Sequence, residues 1–214
     1  MAVQMNLPLS PQIKAVAFDL DGTLIDFVSM KKKTARAAAK AMVENGLPSK
    51  ENAVYKKIFE IYNKFGWEYQ RTFTVLLKDY KLSRSDRERI RQAGLLAYEK
   101  AKPPTLKPFP GTVPLLRRLR KRGIKLAVLT DAPREKAWQR LHLSGLAAFF
   151  DLVITFDDSK HHKPHALPFQ KLLKRLGLRP HEVLMVGDNE ERDIKGARKA
   201  GIEAVKVESW RRSK

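Results

Sequence analysis

The chain of 214 residues has no cysteine, which excludes disulfides, thiolate metal sites and a cysteine nucleophile. It has no run near the roughly 20 apolar residues that span a bilayer. Its first residues, MAVQMNLPLSPQIK, lack the basic-then-apolar order of a secretory leader. A cytoplasmic protein without a membrane partner is therefore expected. Internal repeats and low-complexity segments are also missing. Acidic residues are few beside basic ones, 23 Asp+Glu against 43 Lys+Arg, for a net charge of +20.

What is present points to a folded core. Apolar residues make up 43% of the chain, enough to bury a core and unlike a disordered composition. The positive charge favours polyanionic partners, or draws phosphorylated small molecules to the surface. Residues 27–103 hold 18 basic and 8 acidic side chains, so the charge is spread along the chain and not gathered in an arm. No groove-reading or single-strand-binding motif accompanies it. A generally solvated basic surface is the expectation, ahead of a nucleic-acid partner. The pattern does not bear on oligomeric state.

Five short runs rich in Val, Ile and Leu read as strands buried on both faces: KAVAFD (14–19), IKLAVLTD (124–131), FDLVITFD (150–157), EVLMVGD (182–188) and EAVKV (203–207). Helical patterns at 113–122, 134–143, 167–176 and 193–200 each precede one of the last four, each stopped by a glycine or just before one. Strand–helix–strand alternation with short connections implies an α/β parallel sheet. The first strand breaks this rhythm. About a hundred residues follow it, and they read as four helices at 29–45, 50–65, 67–80 and 86–102. The last opens on an apparent capping box, Ser85 with Glu88, and stops at Pro103-Pro104. A sheet domain (1–26 and 104–214) with an inserted helical cap (27–103) is expected.

Four of the five strand ends carry polar residues foreign to a core. Asp19 and Asp21 close the first, Thr130 and Asp131 the second, and Gly187-Asp188 the fourth, with Asp193 following on the helix. Lys163 precedes Pro164 in the HHKPH segment. In a parallel sheet all C-terminal strand ends share one edge, where ligands bind. Carboxylates from the first and fourth strands suit a hard cation such as Mg2+. A hydroxyl and a lysine suit an anion with several oxygens. Metal, anion site and a free carboxylate together imply phosphoryl transfer to that carboxylate.

DLDGT (19–23), Thr130, Lys163-Pro164 and GDNEERD (187–193), in this order and with FPG at 109–111, resemble the haloacid dehalogenase-like hydrolase superfamily. The resemblance covers nearly the whole chain. It implies a Rossmann-like, doubly wound sheet of order 3-2-1-4-5. It implies Asp19 as nucleophile and Asp21 as general acid and base, with Thr130, Asp131 and Lys163 at the phosphate. Mg2+ would rest on Asp19, the Asp21 carbonyl and Asp188, with Asp193 in support. A phosphorylated small molecule is the expected substrate. Asp131 departs from the Asn common after the motif's hydroxyl residue, and His165 stands where Asp commonly follows Lys-Pro. His161 and His162 raise a transition-metal site as a minor alternative to a solvated loop. The lysine run 31–33 reads as a solvated helix start, and Trp67 and Arg71 as cap packing and surface. A phosphatase of nucleic-acid ends, a phosphosugar mutase and a nucleic-acid-binding protein on the same fold remain open.

Overall fold

The computed structural model describes residues 7 and 9–207. They divide into two compact units, residues up to Phe27 with Leu106 onward, and Val28–Thr105 between them. No helix among the described residues is long and apolar enough to cross a membrane.

The first unit is built on one sheet of five parallel strands: β1 (Ala15–Phe18), β2 (Lys125–Leu129), β3 (Leu152–Ile154), β4 (Val183–Gly187) and β5 (Glu203–Lys206), in the order 3-2-1-4-5. β1 is central, with Phe18 in register with Val128 on one side and Val186 on the other. The chain moves outward through β2 and β3, then jumps back across β1 to β4. That jump is the topological switch at which such sheets bind ligands.

Every β1 residue is fully buried, which explains the unbroken apolar run. On one face the small Ala15, Ala17 and Ala127 leave room for Phe169, Leu172 and Ile194 in a single cluster. Fully burying a Leu, Ile or Phe is worth about 1.5–3 kcal/mol, so this face carries much of the unit's stability. The helices are α5 (Thr112–Lys121), α6 (Arg134–Leu143), α7 (Phe156–Ser159) and α8 (Ala166–Leu176), then a π-helical turn (Glu190–Lys195) continuing into α9 (Gly196–Lys199). The helix expected over 193–200 is thus widened in its first turn.

The second unit holds α1, which begins in the first unit (Phe27–Glu44), with α2 (Glu51–Phe65), α3 (Thr72–Leu76) and α4 (Arg84–Thr105). It has its own apolar cluster, including Met42, Ile58, Leu76 and Ile90. Three details differ from the sequence pattern. The helix expected from Trp67 begins only at Thr72, because residues 65–69 are held by aromatic packing. Phe65 stacks on Tyr69 at 4.7 Å, and Trp67 packs on Phe59 and Tyr62. The cap of α4 is Ser83, whose Oγ accepts the Asp86 N–H at 3.0 Å and donates to Asp86 Oδ2 at 2.6 Å. α4 also runs on through Pro103 and Pro104, and the Thr105 hydroxyl donates to the Ala101 carbonyl at 2.6 Å.

The lysine run is not uniformly solvated either. Lys32 and Lys33 are exposed, but Lys31 is buried, its ammonium 4.4 Å from the Tyr62 ring centre and 5.6 Å from that of Tyr98.

Candidate active site

Asp19 follows the last residue of β1, its N–H donating to the Val186 carbonyl at 2.9 Å. The backbone then turns through Gly22, whose φ of 90° suits glycine and whose N–H returns to the Ile25 carbonyl at 3.0 Å. This turn keeps Asp19 in the sheet edge and carries Asp21 off it. Asp19 is 6% exposed, with the Thr23 hydroxyl 3.5 Å from its Oδ2.

Lys163 closes the other side. Its ammonium donates to Asp19 Oδ1 at 2.6 Å and to the Leu129 carbonyl at 2.8 Å. Asp193 Oδ1 lies 2.7 Å away, an ion-pair contact without hydrogen-bond alignment. A buried lysine tends to lose its proton, but the carboxylates of Asp19, Asp193 and Asp131 outweigh that and raise its pKa. For Asp19 burial is the largest influence. Together with Asp193 and Asp21 it outweighs Lys163 and pushes the carboxyl above its usual range as long as no cation joins the acids; a divalent ion among them would favour the carboxylate again. Isolated burial of so much negative charge is costly.

Asp193 is 1% exposed, and its Oδ2 accepts the Asn189 N–H at 3.0 Å. Gly187 has to be glycine here, since a Cβ would stand 2.4 Å from that of Asp193. One carboxylate oxygen from each of Asp19, Asp188 and Asp193 falls within 4.8 Å of the others. Three hard oxygen donors, two of them buried, fit Mg2+ and not a soft metal. Asp193 thus joins the cluster while also holding Lys163.

Thr130 follows β2, and its Oγ accepts the Ala132 N–H at 3.1 Å. That bond fixes the oxygen and leaves the hydroxyl hydrogen to donate to an anion. The side chain of Asp131, expected at the phosphate, reaches the neighbouring loop. Its Oδ1 accepts the Lys163 N–H at 2.8 Å, and its Oδ2 lies 3.4 Å from Arg192 Nη1. A carboxylate repels phosphate, and here it shapes the loop that presents Lys163. The three histidines are exposed. His161 stacks on His165 at 4.1 Å and His162 on Phe156 at 4.5 Å. Face-to-face rings cannot aim their in-plane lone pairs at one ion, and His165 Nδ1 already caps α8 by accepting the Leu167 N–H.

Asp21 brings in a residue that the motifs do not mark. Arg140 Nη1 donates to its Oδ2, and the guanidinium sits 4.2 Å from the Phe27 ring centre. Arg140 is buried on the inward stripe of α6 with Ala137 and Leu141. A charged residue at that helical spacing was the available signal.

The family model for haloacid dehalogenase-like hydrolases matches residues 13–201. The chain belongs to this family. It is 35% identical over 197 residues to a glyceraldehyde 3-phosphate phosphatase of Methanothermobacter thermautotrophicus, covering 92% of this chain and 86% of the relative. It is 47% identical over 92 residues to the pyrophosphatase PpaX of Bacillus cereus, covering 43% of this chain and 42% of that protein. Among solved structures, a HAD phosphatase from Thermococcus onnurineus superposes with a TM-score of 0.68 at 27% identity, covering 94% of this chain and 88% of that one. A Thermotoga maritima chain provisionally described as a β-phosphoglucomutase superposes at 0.72 with 26% identity, covering 92% and 87%. This HAD-like hydrolase therefore keeps company with enzymes of phosphate chemistry.

Proposed function

We propose that this HAD-like hydrolase is a Mg2+-dependent phosphatase of small phosphomonoesters that works through an aspartyl-phosphate on Asp19. The observation that carries the reading is the buried Asp19 carboxylate, held by Lys163 at 2.6 Å beside the acids of β4 and its following turn. Asp19, the Asp21 carbonyl and Asp188 would hold Mg2+, which when bound supplies positive charge beside the carboxylates and the phosphoryl oxygens.

The rest is done by the chain's own groups. An Asp19 oxygen attacks phosphorus while the bond to the ester oxygen breaks, and Asp21 gives its proton to that oxygen. Thr130 donates to a phosphoryl oxygen. As Asp19 becomes esterified, the Lys163 ammonium can shift its donor from the carboxylate to the phosphoryl group. Water then attacks phosphorus, Asp21 takes its proton, and the Asp19–phosphorus bond breaks to release phosphate. A halide leaving group needs no proton, so the presence of Asp21 favours phosphate over halide chemistry.

Glyceraldehyde 3-phosphate is the first substrate to test, because the relatives bearing that name match over about nine-tenths of this chain. Released phosphate should be measured with Mg2+ across phosphorylated metabolites, 3′- and 5′-phosphorylated oligonucleotides and hexose 1-phosphates. Turnover of small monoesters with at most slow release from oligonucleotides supports the reading. Preference for oligonucleotide ends overturns the substrate class, and hexose phosphate isomerised without phosphate release points to a mutase.

A further inference from the structure

We propose that Arg140 is the positioning residue for the acid–base group Asp21, an inference that rests on the phosphatase reading above. The turn after β1 fixes the Asp21 backbone through the Gly22–Ile25 hydrogen bond. It leaves two side-chain torsions to be set, and the Asp21 side chain is 23% exposed. A carboxyl that must meet the leaving oxygen and later a water needs one direction, because small misplacement of a catalytic group can cost about 10²-fold in rate.

Arg140 supplies that direction. Its side chain is 7% exposed, its Nη1–H donates to Asp21 Oδ2, and the face of its guanidinium lies on Phe27. A planar fork gripped at its edge by an acid and at its face by a ring has little freedom left to rotate. An apolar residue beside Ala137 and Leu141 would bury more cheaply than a guanidinium, so packing alone does not account for Arg140.

The fold gives the contact a further meaning. α6 begins at Arg134, four residues beyond Thr130. One loop and helix therefore deliver both the hydroxyl expected to meet the phosphate and the anchor of Asp21. The hydrogen bond can be kept in both protonation states of Asp21. A carboxylate accepts from the guanidinium at Oδ2, and a protonated carboxyl still accepts there as its C=O oxygen while the other oxygen carries the proton.

The prediction is a leaving-group signature. A nitrophenolate needs little protonation, whereas the alkoxide of glycerol phosphate needs a well-placed acid. Rates of Asp19 phosphorylation should be measured by acid-trapped phosphoprotein with both substrates, for wild type, Arg140→Met, Arg140→Lys and Phe27→Leu, alongside melting curves. Arg140→Met should lower the alkyl-to-aryl rate ratio about 10–10²-fold, within the range that general acid catalysis supplies. Arg140→Lys should recover part of the ratio, and Phe27→Leu should lower it slightly. If Arg140→Met does not fold, the Lys and Leu variants carry the test. A folded variant set in which both rates fall together, with the ratio unchanged, overturns the positioning role. Asp21→Asn run in parallel separates the two levels. If it leaves the ratio intact, the acid–base reading fails and takes this inference with it. If it collapses the ratio while the Arg140 and Phe27 variants do not, the inference about Arg140 alone fails.

Discussion

Two buried lysines, one in each unit, are held in different surroundings. Lys163 in the sheet unit meets three oxygens within 2.8 Å, two of them from carboxylates. Lys31 in the helical unit lies over the rings of Tyr62 and Tyr98. Short polar side chains with one good geometry surround the first. The cluster of the helical unit is apolar and aromatic, with the flexible Met42 beside the rings of Phe59, Tyr62 and Trp67. The proposed phosphoryl transfer needs fixed oxygens and protons, and the first surroundings offer them.

If the sheet unit carries the whole chemistry, its two acids should fail in different ways. Asp19→Asn removes the nucleophile, so no phosphoprotein and no phosphate release should be seen with any substrate, whatever the helical unit contributes. Asp21→Asn keeps the nucleophile and loses the proton shuttle, worth about 10²–10⁴-fold. Nitrophenyl phosphate should then give a burst of nitrophenolate followed by slow turnover, with phosphate trapped on the peptide containing Asp19. Turnover retained in Asp19→Asn, or no burst in an Asp21→Asn protein that still binds substrate, would break the division of labour.

The acids of β4 and the turn after it sharpen the comparison next. Asp188→Ala removes a charged oxygen ligand, and even outer-shell changes at metal sites commonly cost about 10–100-fold. The Mg2+ concentration for half-maximal activity should rise at least that much while the melting curve of the metal-free protein barely moves. Phosphatase activity that survives EDTA would remove Mg2+ from the scheme.

Two glycines measure the rigidity of each unit directly. In Gly187→Ala the new Cβ meets the Asp193 side chain at 2.4–2.6 Å, a short group already tied to Lys163 and Asn189. Displacing half of a buried ion pair costs about 3–5 kcal/mol, and activity should go with it. In Gly94→Ala the Cβ meets Met42 Cγ at 2.8 Å on a flexible side chain. Overpacking of about 1–3 kcal/mol is offset by roughly 1 kcal/mol of helix propensity. A net loss under about 2 kcal/mol with activity retained is expected. Denaturant unfolding of the two variants gives both numbers, and equal losses would show that the two units are equally rigid.

How much of this was legible in the sequence follows the same division. Strand ends were readable because a carboxylate, hydroxyl or lysine at the end of a Val/Leu run contradicts burial, and glycine stops mark the helices between. The side-chain partners of Asp131 and Arg140 were not, since they lie 32 and 119 positions away and arrive through β-sheet register and helix phase. In the helical unit the periodicity of Phe73, Leu76 and Leu77 was real, but it did not reveal that Phe65 and Trp67 pack locally and delay the helix. Ser83 and Ser85 each stand three residues before an acid, so the capping box had two possible frames. The choice fell to Ser83 and Asp86, with Arg87 donating to the Leu77 carbonyl.

The smallest expected effect concerns two helix caps, one per unit, and depends on pH. Asp158 Oδ2 accepts the Thr155 N–H at 2.9 Å and its hydroxyl at 2.7 Å, while Oδ1 meets Arg134 at 2.9 Å. Burial alone would raise the Asp158 pKa, but the Thr155 bonds and Arg134 outweigh it and hold it below the usual carboxylate range. In the helical unit the Ser83 hydroxyl, and to a smaller degree Arg89, likewise lower the pKa of Asp86, which is open to solvent. A carboxyl whose folded pKa is depressed stabilises the fold fully above its ordinary unfolded value. That contribution is lost as pH falls through the folded value. Asp158→Asn should therefore cost about 1 kcal/mol at neutral pH, and the deficit should shrink as pH falls, until variant and wild type unfold alike in acid. Asp86→Asn should follow the same course with a smaller neutral-pH deficit, because solvent screens its partners. Urea midpoints for both variants from pH 7 down to about pH 2, below the ordinary carboxylate range, would test this. A deficit for Asp158→Asn that stays constant into acid would mean that lost packing, and not the charge of the carboxylate, holds that turn together.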